Sequence, residues 1–156
     1  MLSDLGIYQL DIDVEQTSIF YSKADGISCD CDGCRNYAQA AALFPPSVQK
    51  FLHQLGIDPA KPAEVYVNYA PSKETVCYGG FYHICGIIQK GTEPWVQVGE
   101  KLFQLDEQYR IELNDDYSVY FTEQVHLLED DFPSPTIQME IAFTIPWVLP
   151  EPNSYL

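Results

Sequence analysis

TVCYGGFYHICGIIQ, at residues 75–89, is the stretch that decides the fold. Its pattern is that of a long β-strand, in which His83 and Cys85 have the same parity and therefore point to the same face. The pair Gly79–Gly80 predicts a bulge that bends the strand, or a place where another backbone approaches closely. We therefore predict one long, bent strand over Thr75–Gln89.

Shorter β patterns lie on both sides of this strand. Before it, Glu64–Tyr69 alternates between apolar and polar side chains, and Pro71–Glu74 predicts a turn. After it, residues 114–116 predict the turn of a hairpin. The further strands predicted in this half are Tyr109–Leu113, Tyr117–Thr122 and Ile137–Phe143. Because short connections between neighbouring strands require antiparallel pairing, we expect a mostly antiparallel sheet.

Residues 7–15 also alternate between apolar and polar side chains, which predicts a half-buried strand, and residues 18–23 predict a second one. In the first of these, Asp11, Asp13 and Glu15 would lie on one face, about 7 Å apart. Such a row of carboxylates can bind a basic partner or a cation. It can also be a solvated face that discourages edge-to-edge pairing, and we favour this second interpretation.

Two consecutive helices are predicted before the long strand. The alanine-rich residues 35–43 favour the first helix, with Asn36 as a candidate for its N-cap. Residues 46–55 begin at a proline, place apolar side chains on one helical face and are followed by Gly56, a residue typical of a helix C-terminus. We expect this amphipathic helix to cover one end or face of the sheet.

Together these elements predict an α+β fold in a single domain over residues 1–156. The expected architecture is a curved, mostly antiparallel sheet or partial barrel of about seven strands with two consecutive short helices. The length fits one domain of ordinary size, and the hydrophobic content of 46% argues against disorder. The sequence contains no internal repeat, no low-complexity tract and no linker long enough to separate two domains.

The chain carries 23 acidic and 8 basic residues, a formal net charge of −15. Such a surface repels phosphate backbones and anionic lipids, so we expect neither a nucleic-acid partner nor a membrane. A basic protein would be attracted, although acidity also keeps a small protein soluble. Residues 1–16 have no basic start and no continuous apolar run, so no signal peptide is predicted. We therefore predict a cytoplasmic protein.

The densest group of reactive side chains is CDCDGC at residues 29–34, which holds three of the five cysteines. Three thiols so close in sequence must face one another in any fold. The spacing Cys31-x-x-Cys34 is that of a zinc knuckle, and Cys29 adds a third sulfur. A zinc ion needs a fourth ligand, and His83 and Cys85, which share one face of the long strand, are the first candidates. The predicted metal ligands are therefore Cys29, Cys31, Cys34 and His83.

The same cysteines allow other interpretations. Cys85 and Cys77, which have the same parity as His83, are alternative fourth ligands. Free thiols are often packing residues without chemistry, and a CxxC pair also occurs in redox proteins, although the strand–helix–strand unit of thioredoxins is missing here. Cys34 or Cys77 with His83 would provide a nucleophile and a base, but no catalytic signature surrounds either cysteine. We therefore predict no catalytic residues, and an enzyme is the less favoured class.

Four stretches resemble those of an uncharacterised group of small acidic bacterial proteins. They are CDCDGCRNY at residues 29–37, LGIDPAKPAEVY at 55–66, YGGFYH at 78–83 and PWVL at 146–149. The group has a CxCxxCRNY segment, a YGGxYH strand and a PWVL strand near the C-terminus. The resemblance implies a common fold over most of the chain. It implies no mechanism, because the group has no assigned activity.

Two functions of different classes follow from these observations. The first is a non-enzymatic acidic protein that binds a basic protein partner, and an immunity-like role against a nucleic-acid-cleaving toxin is one version of it. The second is a zinc-binding or thiol-dependent protein that uses the cluster of Cys29, Cys31 and Cys34. We favour the first function on the basis of the charge, and the cysteine spacing supports the second as the alternative.

Overall fold

The computed structural model describes residues 2–156, which form nine β-strands, three α-helices and two short 3₁₀ turns. The strands are β1 (Leu2–Leu5), β2 (Tyr8–Ile12), β3 (Glu64–Ser72), β4 (Thr75–Lys90), β5 (Trp95–Gly99), β6 (Leu102–Leu105), β7 (Ile111–Asn114), β8 (Tyr117–Thr122) and β9 (Thr136–Pro146). The helices are α1 (Val14–Lys23), α2 (Asp32–Ala40) and α3 (Pro46–Gln54), and the 3₁₀ turns are Ala41–Leu43 and Glu107–Tyr109.

Seven strands form one antiparallel sheet in the order β1-β2-β4-β9-β8-β7, with β3 paired to β4 on the same edge as β2. Strands β5 and β6 form a separate two-stranded hairpin. The predicted α+β fold with a mostly antiparallel sheet of about seven strands is confirmed, and the sheet stays open rather than closing into a barrel.

The long strand β4 organises the sheet, as the sequence predicts. One edge of β4 pairs with β9 over Thr75–Cys85, while the other edge pairs first with β3 and then with β2. Gly80 has φ +155°, and a Cβ atom there would collide with the carbonyl oxygen of Glu64. The glycine therefore lets β3 approach closely, which is one of the two roles expected for the Gly79–Gly80 pair.

The strand predicted over residues 18–23 is wrong, because residues 14–23 form α1. Of the strand predicted over residues 7–15, only Tyr8–Ile12 is present, as β2. Asp13 then caps the helix, since its Oδ1 accepts a hydrogen bond from the backbone N–H of Gln16 at 3.0 Å. The predicted row of carboxylates along one strand face does not form, because Asp13 lies at the cap and Glu15 lies in the first helical turn.

Helix α1 fills a gap along the edge of β4, between the part that pairs with β3 and the part that pairs with β2. The Thr17 hydroxyl accepts a hydrogen bond from the backbone N–H of Cys85 at 3.0 Å. The Tyr21 hydroxyl donates to the carbonyl oxygen of His83 at 2.8 Å and accepts from the N–H of the same residue at 3.2 Å. The helix thus supplies side-chain partners where no strand is available.

The predicted pair of helices is present, with one correction at its start. Helix α3 matches the prediction, and Gly56 has the positive φ of +85° that suits a helix C-terminus. Helix α2 begins three residues earlier than expected, so Asn36 lies inside it rather than at its N-cap. Asn36 is fully buried, and its side chain bonds to the Tyr78 hydroxyl and to the backbone N–H of Val148.

The helices cover one face of the sheet. The ring of Tyr37 in α2 lies 5.2 Å from that of Tyr78 in β4, and the ring of Phe44 lies 5.7 Å from that of Phe143 in β9. Side chains that alternate with these core residues, such as Glu140 of β9, point to the opposite face. Among the described residues, no helix is both long enough and apolar enough to cross a membrane.

Candidate metal centre

The segment between α1 and α2 brings three thiols together. The Sγ atoms of Cys29, Cys31 and Cys34 all lie within 4.8 Å of one another, and those of Cys29 and Cys31 are 3.2 Å apart. Cys29 and Cys31 are exposed, whereas Cys34 is buried. No disulfide links them, because all of the cysteines are free thiols. The predicted grouping of these three residues is therefore present in the fold.

The first turn of α2 determines the arrangement of the thiols. Cys31 is the N-cap residue, and its carbonyl oxygen accepts the first helical hydrogen bond, from the N–H of Arg35 at 2.9 Å. Cys34 lies one turn further on and therefore faces the same end of the helix. Gly33 sits between them with little space, since a Cβ atom there would lie 2.9 Å from a methyl group of Val67 and from the hydroxyl of Tyr155.

Two tyrosines hold this turn from opposite sides. The hydroxyl of Tyr78, in β4, donates to the carbonyl oxygen of Gly33 at 2.7 Å. The hydroxyl of Tyr155 accepts a hydrogen bond from the N–H of Gly33 at 3.1 Å. Both backbone polar groups of the residue between the cysteines are thus bound to side chains from distant parts of the chain, which restricts the movement of the thiols.

Residues 151–155 lie over the same turn and add charged contacts. Arg35 forms ion pairs with Asp32 at 3.0 Å and with Glu151 at 2.8 Å. The hydroxyl of Ser154 donates to the carboxylate of Asp32 at 3.2 Å. Local sequence patterns predict neither these contacts nor the role of Tyr155, because a contact between residues 122 positions apart leaves no local pattern.

The three thiols differ in their electrostatic surroundings. Hydrogen bonding by the backbone N–H of Cys34, followed by the thiol of Cys29, lowers the pKa of Cys31. Burial, followed by the neighbouring thiols, raises the pKa of Cys34. The helix start thus favours a thiolate at Cys31, and a second charge on Cys34 requires a cation to offset it.

A cavity of about 720 Å³ lies beside the cluster, and all three cysteines line it. His83 lines the same cavity, but it does not belong to the group of ligand atoms within 4.8 Å of one another. The His83 ring is buried, and burial lowers its pKa. Its Nε2 lies 3.1 Å from Oε1 of Gln138, which also accepts from the N–H of His126. His83 Nε2 therefore carries the proton, and Nδ1 keeps its lone pair.

The other sulfur candidates lie apart from the cluster. Cys77 pairs with the hydroxyl of Thr144 at 3.1 Å, and Cys85 is buried beside α1. Neither joins the three-cysteine group, which also contains no histidine, aspartate or glutamate among residues 2–156. His83 Nε2 is bonded to Gln138 rather than to a thiol. The sulfur–imidazole pairs considered for catalysis are thus not hydrogen-bonded in the described part of the chain.

No protein-family model matches this chain, and neither a curated protein nor a solved structure does. The resemblance to a group of small bacterial proteins therefore stays a prediction. What the centre can do follows from its own atoms: three soft sulfur ligands converge, their charges repel one another, and a cavity adjoins them. This donor set suits thiophilic ions such as Zn²⁺ or Cu⁺.

Proposed function

We propose that the protein binds a thiophilic metal ion, most suitably zinc, through Cys29, Cys31 and Cys34. The observation that carries the proposal is the convergence of three Sγ atoms within 4.8 Å. Mutual repulsion disfavours three neighbouring thiolates, and a bound cation removes that cost. The metal would fix the segment between α1 and α2, which contains no regular secondary structure from Ala24 to Cys31.

The spacing of the sulfur atoms fits a metal with a small adjustment. A tetrahedral zinc ion with Zn–S bonds of about 2.3 Å places its sulfur ligands about 3.8 Å apart. Cys29 and Cys31, now 3.2 Å apart, would separate by about 0.6 Å. Both are exposed and precede the helix, so this change leaves α2 and its contacts in place.

The fourth position of the ion would face the cavity. Structural zinc sites usually have four protein ligands, whereas three ligands with an open position are typical of ions that bind water or a small molecule. His83 stays the predicted fourth ligand, since Nε2 donates to Gln138 and leaves Nδ1 as the free nitrogen. Ligation by His83 would require the cavity wall to move toward the cysteines.

The test is elemental analysis of protein purified without chelators and without metal-affinity resin. We expect about one zinc ion per chain, and the Cys31→Ser variant should lose it. Cys77→Ser is the matched control, because it removes a sulfur outside the cluster and a serine hydroxyl can keep the contact with Thr144. A folded, metal-free wild-type chain that takes up no added zinc would contradict the proposal and leave packing or redox roles for the thiols.

A second variant decides how the coordination sphere is completed. His83→Gln should reduce zinc affinity by at least about tenfold if His83 is a ligand. An unchanged affinity would mean that the fourth position holds water or a small molecule, and the three-cysteine site would stand without His83. Circular dichroism of each variant would separate the loss of a ligand from the loss of the fold.

A further inference from the structure

The sheet face opposite the helices carries a row of side chains that crosses four strands. Register pairs Glu64 of β3 with Phe81 of β4, Phe81 with Glu140 of β9, and Glu140 with Tyr120 of β8. Directly paired residues point to the same side of a sheet, so these four lie side by side. The row ends near Trp95 of the β5–β6 hairpin, whose ring lies 5.9 Å from that of Tyr120.

A second row on the same face, beside the first, has small residues in its middle. Tyr66 of β3 pairs with Gly79, which pairs with Ala142, which in turn pairs with Ser118. The Tyr66 ring lies over Gly79, where a Cβ atom would be only 2.5 Å from the ring. The small residue lets the Tyr66 ring lie flat on the sheet, and both Tyr66 and Tyr120 interact electrostatically with Glu140. We call Glu64, Tyr66, Tyr120 and Glu140 the tyrosine–glutamate face.

No lysine or arginine forms an ion pair with the carboxylates of this face in the described part of the chain. Glu140 is half-buried and accepts one hydrogen bond, from the side-chain amide of Gln138 at 2.9 Å. Neither Glu140 nor Glu64 belongs to any ion pair among residues 2–156. The basic groups near the row are His126, which acts electrostatically on Glu140, and Arg110, which pairs with Glu107 and contacts Ser118. A half-buried carboxylate beside two phenol rings can bind a further cation, which would offset the cost of burying its charge.

We propose that the tyrosine–glutamate face is a docking surface for a basic protein, which places a lysine or arginine side chain between Tyr66 and Tyr120 and against Glu140. Aromatic rings bind cations through their negative faces, and the carboxylate supplies a charge-assisted hydrogen bond. Tyr66 is 50% exposed and Trp95 is 42% exposed, so large amphipathic rings are available at the surface, as in many protein interfaces.

Charge complementarity selects this occupant over the alternatives. A second copy of the chain would bring another net charge of −15 and place carboxylates against carboxylates. A nucleic acid would be repelled for the same reason. A basic protein gains long-range attraction from the whole surface and a specific contact from Glu140 and the two rings. This inference does not require a bound metal ion, although Glu64 and Tyr66 also line the cavity beside the cysteines.

The test uses a synthetic peptide, acetyl-Gly-Arg-Gly-Arg-Gly-amide, as a probe for exposed arginines of a partner. Binding is followed by amide chemical shifts in ¹⁵N-labelled protein at about 0.15 M salt, where diffuse attraction is screened. We expect saturable shifts in β3, β8 and β9, and none with the citrulline analogue, which has the same shape without the charge. Shifts confined to residues 29–34, spread over the whole surface or absent would overturn the proposal.

Matched variants separate the docking face from general acidity. Glu140→Gln should weaken peptide binding at least fivefold, and Tyr66→Leu should do the same through the ring. Glu15→Gln removes the same charge from the exposed side of α1 and should change binding less than twofold. Equal weakening by both glutamate variants would mean diffuse attraction only. Dimerisation of the wild type that is lost in Tyr66→Leu, measured by sedimentation, would assign the face to a second copy instead.

Discussion

Both faces of the sheet carry tyrosines, but the environments of these side chains differ between the two faces. On the helix-covered face, Tyr37, Tyr78 and Tyr82 are buried, and each hydroxyl has a partner within the protein. Tyr37 and Tyr82 bond to each other, and Tyr82 also donates to the carbonyl oxygen of Pro59 at 2.7 Å. Burial raises the pKa of Tyr78 to about 12, so these groups stay protonated donors at neutral pH.

On the outer face, the tyrosines are accessible to other molecules. Tyr66 and Tyr69 are 50% and 60% exposed, whereas Tyr120 is half-buried. The hydroxyls of Tyr66 and Tyr120 form no hydrogen bond with any group in residues 2–156. The comparison shows how one side chain serves two purposes. Buried tyrosines position α2 and with it the cysteines, whereas the outer tyrosines leave rings and hydroxyls available for a partner.

The largest expected effect contrasts the two faces directly. Tyr82→Ala should lower the free energy of unfolding by about 3–5 kcal/mol, because it leaves a cavity and removes two buried hydrogen bonds. Tyr66→Ala, on the outer face, should cost less than about 1 kcal/mol. Urea unfolding followed by circular dichroism measures both. Comparable losses in the two variants would contradict the division of roles between the faces.

The next effect links the inner tyrosines to the metal centre. Tyr78→Phe removes the hydroxyl that donates to Gly33 between the cysteines, at an expected cost of about 1–3 kcal/mol in stability. It should also weaken zinc binding roughly tenfold, although Tyr78 is not a proposed ligand. Competition with a chromogenic chelator gives the affinity, and Tyr120→Phe serves as the control from the outer face. Unchanged zinc affinity in Tyr78→Phe would separate the tyrosine network from the centre.

A smaller effect concerns thiol reactivity in metal-free, reduced protein. The lowered pKa of Cys31 means that its thiolate forms at a lower pH than that of Cys34, whose pKa is raised by burial. At pH 7.5 iodoacetamide should therefore alkylate Cys31 roughly ten times faster than Cys34. Mass spectrometry of peptides over time gives the two rates, and zinc should protect both residues. Faster modification of Cys34 would show that the turn of α2 is arranged differently.

The smallest effect concerns Glu140, whose charge we expect to lower the stability of the folded state at neutral pH. Burial, the largest cause, raises the pKa of Glu140 above its value of 4.5 in the unfolded chain. The folded state therefore binds its proton more tightly, and stability is lost as pH rises through the raised pKa. Glu140→Gln should be more stable than the wild type at pH 7, with the difference vanishing below about pH 4.5. Thermal unfolding at several pH values measures this, and Glu15→Gln should show no such gain.

Parts of the fold with strong local patterns could be predicted from the sequence. Strand β4, the β7–β8 hairpin and α3 follow from alternation, turn residues and an amphipathic period. Helix α1 could not be predicted, because its buried residues Thr17 and Tyr21 are polar and bond to the edge of β4, 62 to 68 residues further along the chain. The β5–β6 hairpin was also missed, and most of its side chains are exposed.

The candidate site also has parts that the sequence predicts and parts that it does not predict. Three thiols within six residues predict their own proximity, and the structure brings them together. The role of His83 cannot be derived from parity alone, because the distance between a strand and a distant loop depends on packing. Tyr155 and Glu151 were not found for the same reason, since they contact α2 from the far end of the described chain.

Cobalt(II) titration of the reduced, metal-free protein tests the central claim most directly, because cobalt replaces zinc in thiolate sites and reports its coordination by colour. The account predicts saturation at about one cobalt ion per chain, intense sulfur-to-metal charge-transfer absorption and the strong visible bands of tetrahedral geometry. These signals should disappear in Cys31→Ser and persist in Cys77→Ser. Weak octahedral bands without sulfur absorption in the folded wild-type protein would contradict a three-cysteine metal centre.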